Sequence, residues 1–80
     1  MNLTNTITRE IDSYTIRFNP KNNFDPVFLD YILYSYSYII PPNKTITIRQ
    51  WIENIIEVYT MRNLVNCAVC EYLNNLIKED

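Results

Sequence analysis

Two cysteines in the last quarter of the chain have the residue type and spacing for covalent or metal chemistry. Cys67 and Cys70 stand three residues apart, as Cys-Ala-Val-Cys, a spacing that occurs in redox dithiols and in zinc sites. A zinc ion needs four ligands, so two such pairs would have to be pooled in a symmetric dimer. We expect both cysteines inside a helix beside Glu71, as small structural thiols that bind no metal and no cofactor.

The absence of His and Gly excludes most other enzyme chemistry. Without His, the usual general base at neutral pH is missing, and Ser-His-Asp and Cys-His nucleophiles cannot form. Without Gly, the loops that cradle phosphates and dinucleotides cannot form either. The acidic residues are scattered, and 80 residues leave little room for a cleft. We therefore expect no enzymatic activity.

Three of the seven tyrosines are the best candidates for binding. Tyr31, Tyr34 and Tyr38 fall on one side of a predicted helix, with Ser35 and Ser37 among them. Tyr offers a large contact area at low entropic cost, and Ser offers adaptable hydrogen bonds. The same rings could instead fill a core with their hydroxyls at the solvent. Stacking on single-stranded nucleic acid is a third option, but it would need a basic groove beside the rings.

A second candidate surface is acidic. Glu53 and Glu57 lie one helical turn apart in a predicted helix, and residues 51–80 carry five acidic side chains against two basic ones. Carboxylates on a rigid helix can occupy the basic groove of a nucleic-acid-binding partner. The alternative is that these carboxylates lie on an ordinary solvent-exposed helix face with no role in binding. With a net charge of −2 and no basic stripe, we expect no direct binding to nucleic acid.

The N-terminal segment 4–19 predicts a β-hairpin. A turn at Asp12-Ser13 separates its apolar side chains from its polar ones onto two faces of the ribbon. A lone ribbon is marginal in water, so Asn43–Ile46 is expected to add a short third strand. The paired residues of the apolar face are Ile11 with Tyr14, Arg9 with Ile16, and Ile7 with Phe18.

A first helix is predicted to open at Pro26 and to continue over residues 27–40. Asp25 can cap its N-terminus, Pro26 suits its first position, and the Pro-Pro pair at 41–42 stops it. Tyr and Ile also alternate over 32–40, which leaves a strand as the competing interpretation.

A second helix is predicted over residues 48–62, since Thr47 and Gln50 have the spacing of a capping box. Its apolar side, which includes Ile52 and Ile55, should face the core. The apolar spacing continues beyond residue 62, along a stripe that runs through Met61 and Val65. One helix to residue 79 would be about 50 Å long, too long for a compact domain of this size. We expect a bend near residues 62–63, the alternative being a long helix that pairs with a second subunit.

These elements predict a small α+β domain over residues 1–80, with an antiparallel hairpin packed on two or three helices. No apolar stretch reaches the length of about 20 residues that spans a bilayer, and the N-terminus lacks the pattern of a signal peptide. We therefore expect an intracellular protein with reduced thiols and no membrane contact.

In size, charge and composition the chain is similar to the small acidic proteins with which viruses and mobile elements block host machinery, anti-CRISPR proteins among them. This similarity is one of size, charge and composition only, and no sequence motif is shared. It implies a stoichiometric inhibitor that binds a protein partner, such as a basic host protein that binds nucleic acid. The alternatives are an assembly subunit that works as a homodimer or larger oligomer, and a binder of single-stranded nucleic acid.

Overall fold

A computed structural model describes residues 3–10, 16–18 and 26–79, with side chains for 3–10 and 29–79. The fold is α+β, as predicted: an antiparallel sheet and three α-helices. No helix in these ranges is long and apolar enough to span a membrane. The elements are β1 (Thr6–Arg9), β2 (Ile16–Phe18), α1 (Pro26–Ser35), a 3₁₀ turn (Ser37–Ile39), β3 (Thr45–Thr47), α2 (Ile48–Met61) and α3 (Ala68–Glu79).

The central strand of the sheet is β1, with β2 on one side and β3 on the other. Arg9 lies opposite Ile16 and Ile7 opposite Phe18, the register that the alternation of side chains predicts. The predicted turn at 12–13, with its flanking pair at 11 and 14, lies outside the described residues.

The third strand is present but begins later than predicted, at Thr45 rather than Asn43. A tight turn occupies the expected start, because the Lys44 N–H donates to the Pro41 carbonyl at 3.2 Å. Asn43 takes a φ of 60° in this turn. Asn tolerates that left-handed conformation better than most residues.

Helix α1 begins at Pro26, as predicted, and its proposed cap at Asp25 lies outside the described residues. The competing interpretation of 32–40 as a strand is wrong. The predicted end at Ile40 is also wrong, since α1 stops at Ser35 and a 3₁₀ turn follows.

The early end of α1 has a local cause. The Tyr36 N–H is shared between the carbonyls of Ile32 and Leu33, at 3.3 and 3.1 Å, which tightens the last turn. The Ser35 hydroxyl donates to the Tyr31 carbonyl at 2.8 Å, a bond that competes with the helical ladder.

Helix α2 starts with the predicted capping box. The Thr47 hydroxyl oxygen accepts from the Gln50 N–H at 3.1 Å, and the Gln50 side-chain oxygen accepts from the Thr47 N–H at 3.0 Å. Ile52 and Ile55 are fully buried, as predicted. The inner face of this helix is the centre of the core.

The chain reverses after Met61, at the place where a bend is predicted. Asn63 has a φ of 59°, and its N–H donates to the Thr60 carbonyl at 3.1 Å. The Leu64 N–H donates to the Tyr59 carbonyl at 2.8 Å. These two bonds form a Schellman motif, in which asparagine takes the place usually held by glycine.

One apolar cluster joins the sheet and the helices, with Trp51 its largest buried side chain. Met61 and Val65, which the uninterrupted spacing placed on an inward stripe, are exposed because the helix ends between them. The buried members are Leu3, Ile7, Leu29, Ile32, Leu33, Ile40, Ile48, Trp51, Ile52, Ile55, Leu73 and Leu76.

The positive φ of Asn63 generates a stability prediction. Replacing Asn63 with Gly should leave the protein about 1–2 kcal/mol more stable than replacing it with Ala, because only Ala has a Cβ that opposes the left-handed conformation. Urea unfolding of the two variants measures the difference. Asn66 lies in the same connection without a positive φ, so the same pair of substitutions there should show no advantage for Gly. Equal stabilities of the Asn63→Gly and Asn63→Ala variants would contradict this explanation.

Candidate functional site

The three tyrosines singled out from the sequence project into solvent. Tyr31 and Tyr34 lie on α1 and are 72% and 67% exposed, and Tyr38 lies in the 3₁₀ turn and is 55% exposed. Isolated surface tyrosines are ordinary, but three within eight residues are a concentrated supply of apolar area. We call Tyr31, Tyr34 and Tyr38 the tyrosine surface.

The side chains of Trp51 and Arg9 hold the backbone segment that carries Tyr38. Trp51 is fully buried, and its indole N–H donates to the Tyr36 carbonyl at 3.2 Å. The Arg9 guanidinium donates to the carbonyls of Ile40, at 2.8 Å, and Tyr38, at 3.4 Å. These three carbonyls, which lie beyond the end of α1, thereby accept from side-chain donors. Strand β1 and helix α2 both hold the segment from which Tyr38 projects.

Tyr36 connects this segment to α2 through its ring. The Tyr36 ring centroid lies 6.0 Å from that of Tyr38 and 5.7 Å from that of Tyr59, with both pairs tilted. Such offset contacts stabilise aromatic pairs beyond the area that they bury. Sequence reasoning placed Tyr36 and Tyr59 on inward stripes but missed their contact, since no local spacing relates residues so far apart.

The hydroxyl group of Tyr59 is held in its neutral form. Burial raises the pKa of Tyr59 above its ordinary value, and a hydrogen bond with the Tyr36 side chain raises this pKa further. The charges that Tyr36, Cys67 and Cys70 would carry on ionisation act in the same direction. Tyr59 therefore lies near Tyr36 and near the two cysteines.

Glu53 and Glu57 lie on the outer side of α2, and both are exposed. Within the described residues, neither carboxylate has a hydrogen bond or a cationic partner. Like charges one turn apart disfavour a helix by about 0.2–0.5 kcal/mol. We call Glu53 and Glu57 the acidic pair, and its charge is available to a partner from outside.

The tyrosine surface and the acidic pair lie on different helices. No ring contact or hydrogen bond among the described residues links Tyr31 or Tyr34 to Glu53 or Glu57. They are therefore two separate features, each to be tested by its own variants.

The cysteines do not lie in the interior of a helix, as the sequence interpretation required. Helix α3 begins at Ala68, so Cys67 precedes its first turn and Cys70 lies within that turn. The apolar spacing concealed this start because it continues without interruption through the connection. In the part of the chain that the structure describes, no three His, Cys, Asp or Glu side chains come together to hold a metal ion.

Comparison with protein-family models, with curated proteins and with solved structures finds no match to this chain. What it does must therefore be argued from the geometry above.

The raised pKa of Tyr59 generates a prediction at high pH. The unfolded chain loses this phenolic proton at about pH 10, while the folded protein keeps it. The free energy of unfolding should therefore fall as the pH rises above about 10, and Tyr59 should contribute nothing to the pH dependence below it. Tyr59→Phe should make the alkaline decline shallower in urea unfolding measured at several pH values.

Tyr34→Phe is the matched control, because it removes the hydroxyl group of an exposed tyrosine on another element. The same alkaline slope in the wild type and in Tyr59→Phe would contradict the assignment.

Proposed function

We propose that this chain is a small protein-binding module of the kind that viruses and mobile elements use to inhibit host machinery. It acts by stoichiometric binding inside the host cell, not by catalysis. Its partner is a protein with a basic surface, such as one that binds nucleic acid. The single observation that carries the proposal is the tyrosine surface: its three side chains are more than half exposed, and Trp51 and Arg9 hold the segment that carries Tyr38.

The energetic argument rests on pre-organisation. Binding costs less when the contact residues are already ordered, because fewer rotamers and loops must be fixed on association. Trp51 and Arg9 hold the backbone that carries Tyr38, so its ring can be presented without much loss of backbone freedom. Tyr is also enriched among the residues that dominate the energy of interfaces. The tyrosine surface is thus suited to provide the anchors of a complex.

The acidic pair has a different part in the proposal. Exposed charges at the rim of an interface change the rate of encounter more than the lifetime of the complex. Glu53 and Glu57 form no ion pair with a described residue. They would guide a basic partner by long-range attraction, which salt screens over about 8–10 Å.

Self-assembly is a second candidate, favoured by a specific observation. Met61, Leu64 and Val65 are 77%, 45% and 48% exposed at the connection between α2 and α3. Such apolar side chains could cover one another in a homo-oligomer. Light scattering separates the two ideas, since a monomer over the working concentration range favours a hetero-partner. Nucleic-acid stacking is less well supported, because Arg49, one of its few available cations, donates to the Ile77 carbonyl at 3.5 Å.

The tyrosine surface generates the first binding prediction. The immobilised wild-type chain should capture from a lysate of its native host a protein that a Tyr34→Ala, Tyr38→Ala double variant fails to retain. With the purified partner, each single substitution should cost about 2 kcal/mol or more, mainly through a faster off-rate in surface-based kinetics.

Asn75→Ala, an exposed change on α3, is the matched control and should bind as the wild type does. The proposal is wrong if every protein captured by the wild type is retained equally by the double variant.

The acidic pair generates the second binding prediction. Glu53→Lys combined with Glu57→Lys should slow association and flatten its dependence on salt, with a smaller effect on the off-rate. Glu71→Lys combined with Glu79→Lys makes the same change in net charge on α3 and should slow association less. Equal slowing by both double variants would assign the effect to net charge alone and would remove the acidic pair from the interface.

A further inference from the structure

The two cysteines occupy unlike positions at the start of α3. The Glu71 N–H donates to the Cys67 carbonyl at 3.1 Å, which is the first bond of the helix and makes Cys67 its N-cap residue. The Cys70 N–H donates to the Cys67 sulfur at 3.4 Å. The sulfur of Cys67 thus takes the place that a Ser, Thr or Asp oxygen usually has in a cap.

The exposure of the two sulfur-bearing residues also differs. Cys67 is partly exposed, whereas Cys70 is 1% exposed. The Cys70 sulfur accepts from the Asn74 side-chain amide at 3.4 Å. Cys70 is one of the buried apolar residues of the core, whereas Cys67 is not. Cys67 is thus the more accessible residue of the pair, and Cys70 is covered.

The spacing permits a bond between the two sulfurs. The Cys67 sulfur lies 3.4 Å from the backbone nitrogen of Cys70, and a disulfide needs Cβ atoms about 3.5–4.5 Å apart. Closure requires a local rearrangement in the first turn of α3, and the ends of helices fray most easily. The rest of the fold need not change.

We propose that Cys67 and Cys70 form a thiol–disulfide exchange site that reacts with small-molecule disulfides of the glutathione class. Cys67 is the attacking thiol, because it is the accessible one. Cys70 is the resolving thiol, because it is covered and lies one turn away. This inference is independent of the proposed binding function.

The exchange balances in two steps. The Cys67 thiolate attacks one sulfur of oxidised glutathione, the disulfide of glutathione breaks, and one glutathione leaves as a thiolate that takes up a proton. The Cys70 thiolate then attacks the Cys67 sulfur, the mixed disulfide breaks, and the second glutathione leaves in the same way. Two protein thiols and one oxidised glutathione become one intrachain disulfide and two reduced glutathiones. Two electrons pass from the cysteines to glutathione, and the two thiol protons end on it.

The test treats the reduced full-length chain with oxidised glutathione at one fixed, mildly alkaline pH, followed by acid quenching, alkylation and mass spectrometry. The wild type should end as an intrachain disulfide that retains no glutathione. Cys70→Ser should stop with one glutathione on Cys67. Cys67→Ser should react about tenfold or more slowly, because the remaining thiol is covered.

Two measurements separate this order of reaction from a folding defect. In urea, Cys67→Ser and Cys70→Ser should react at similar rates, since only the folded chain covers Cys70. Brief alkylation of the native wild type should label Cys67 before Cys70. The proposal is overturned if the wild type keeps a stable glutathione adduct or does not react. It is also overturned if Cys67→Ser reacts as fast as Cys70→Ser without urea.

Discussion

The hydrogen bond from the buried Trp51 indole to the Tyr36 carbonyl is the contact on which the arrangement of this protein most depends. Trp51 is the largest fully buried side chain, and its N–H would be costly to bury without an acceptor. Helix α1 supplies that acceptor by ending at Ser35. Beyond that end, the Tyr38 and Ile40 carbonyls accept from Arg9. The segment that follows α1 therefore contacts both β1 and α2.

Much of the fold follows from local patterns in the sequence. The capping box at Thr47, the first-turn Pro26 and the register of Arg9 opposite Ile16 each rest on interactions within a few residues or on strict alternation. Each of these patterns reflects an interaction between nearby residues or a strict alternation, so it predicts local structure without knowledge of the rest of the chain. The reversal after Met61 could be expected because one straight helix would outgrow the domain.

The incorrect predictions arose where tertiary contacts or unusual capping groups decide the structure. Helix α1 ends at competing hydrogen bonds made by Tyr36 and Ser35, and the carbonyls beyond that end accept from Trp51 and Arg9, which lie far away in sequence. The start of α3 depends on a sulfur atom in the capping position, and no common capping residue marks it. With no glycine in the chain, left-handed turns fall to asparagines such as Asn63, which sequence patterns signal weakly.

The contacts of Trp51 and Arg9 also hold the part of the candidate site that carries Tyr38. An exposed ring contributes to affinity chiefly when its backbone does not have to be ordered on binding. The tyrosine surface meets that condition at Tyr38, whose segment is held by Arg9 and Trp51 and whose ring lies against Tyr36. The acidic pair and the cysteine pair lie on other elements. A protein of this size can carry several such features because each needs only one or two turns of helix.

Amide hydrogen exchange in the 3₁₀ turn tests the central claim, that the platform of the tyrosine surface is fixed before any partner binds. The Ile39 N–H donates to the Tyr36 carbonyl at 3.2 Å, and the Ile40 N–H donates to the Ser37 carbonyl at 3.1 Å. If the segment is held as described, both amides should exchange about a hundredfold or more slowly than in an unstructured chain. Exchange near the unstructured rate would mean that the segment opens freely, and the account of a pre-organised binding surface would be contradicted.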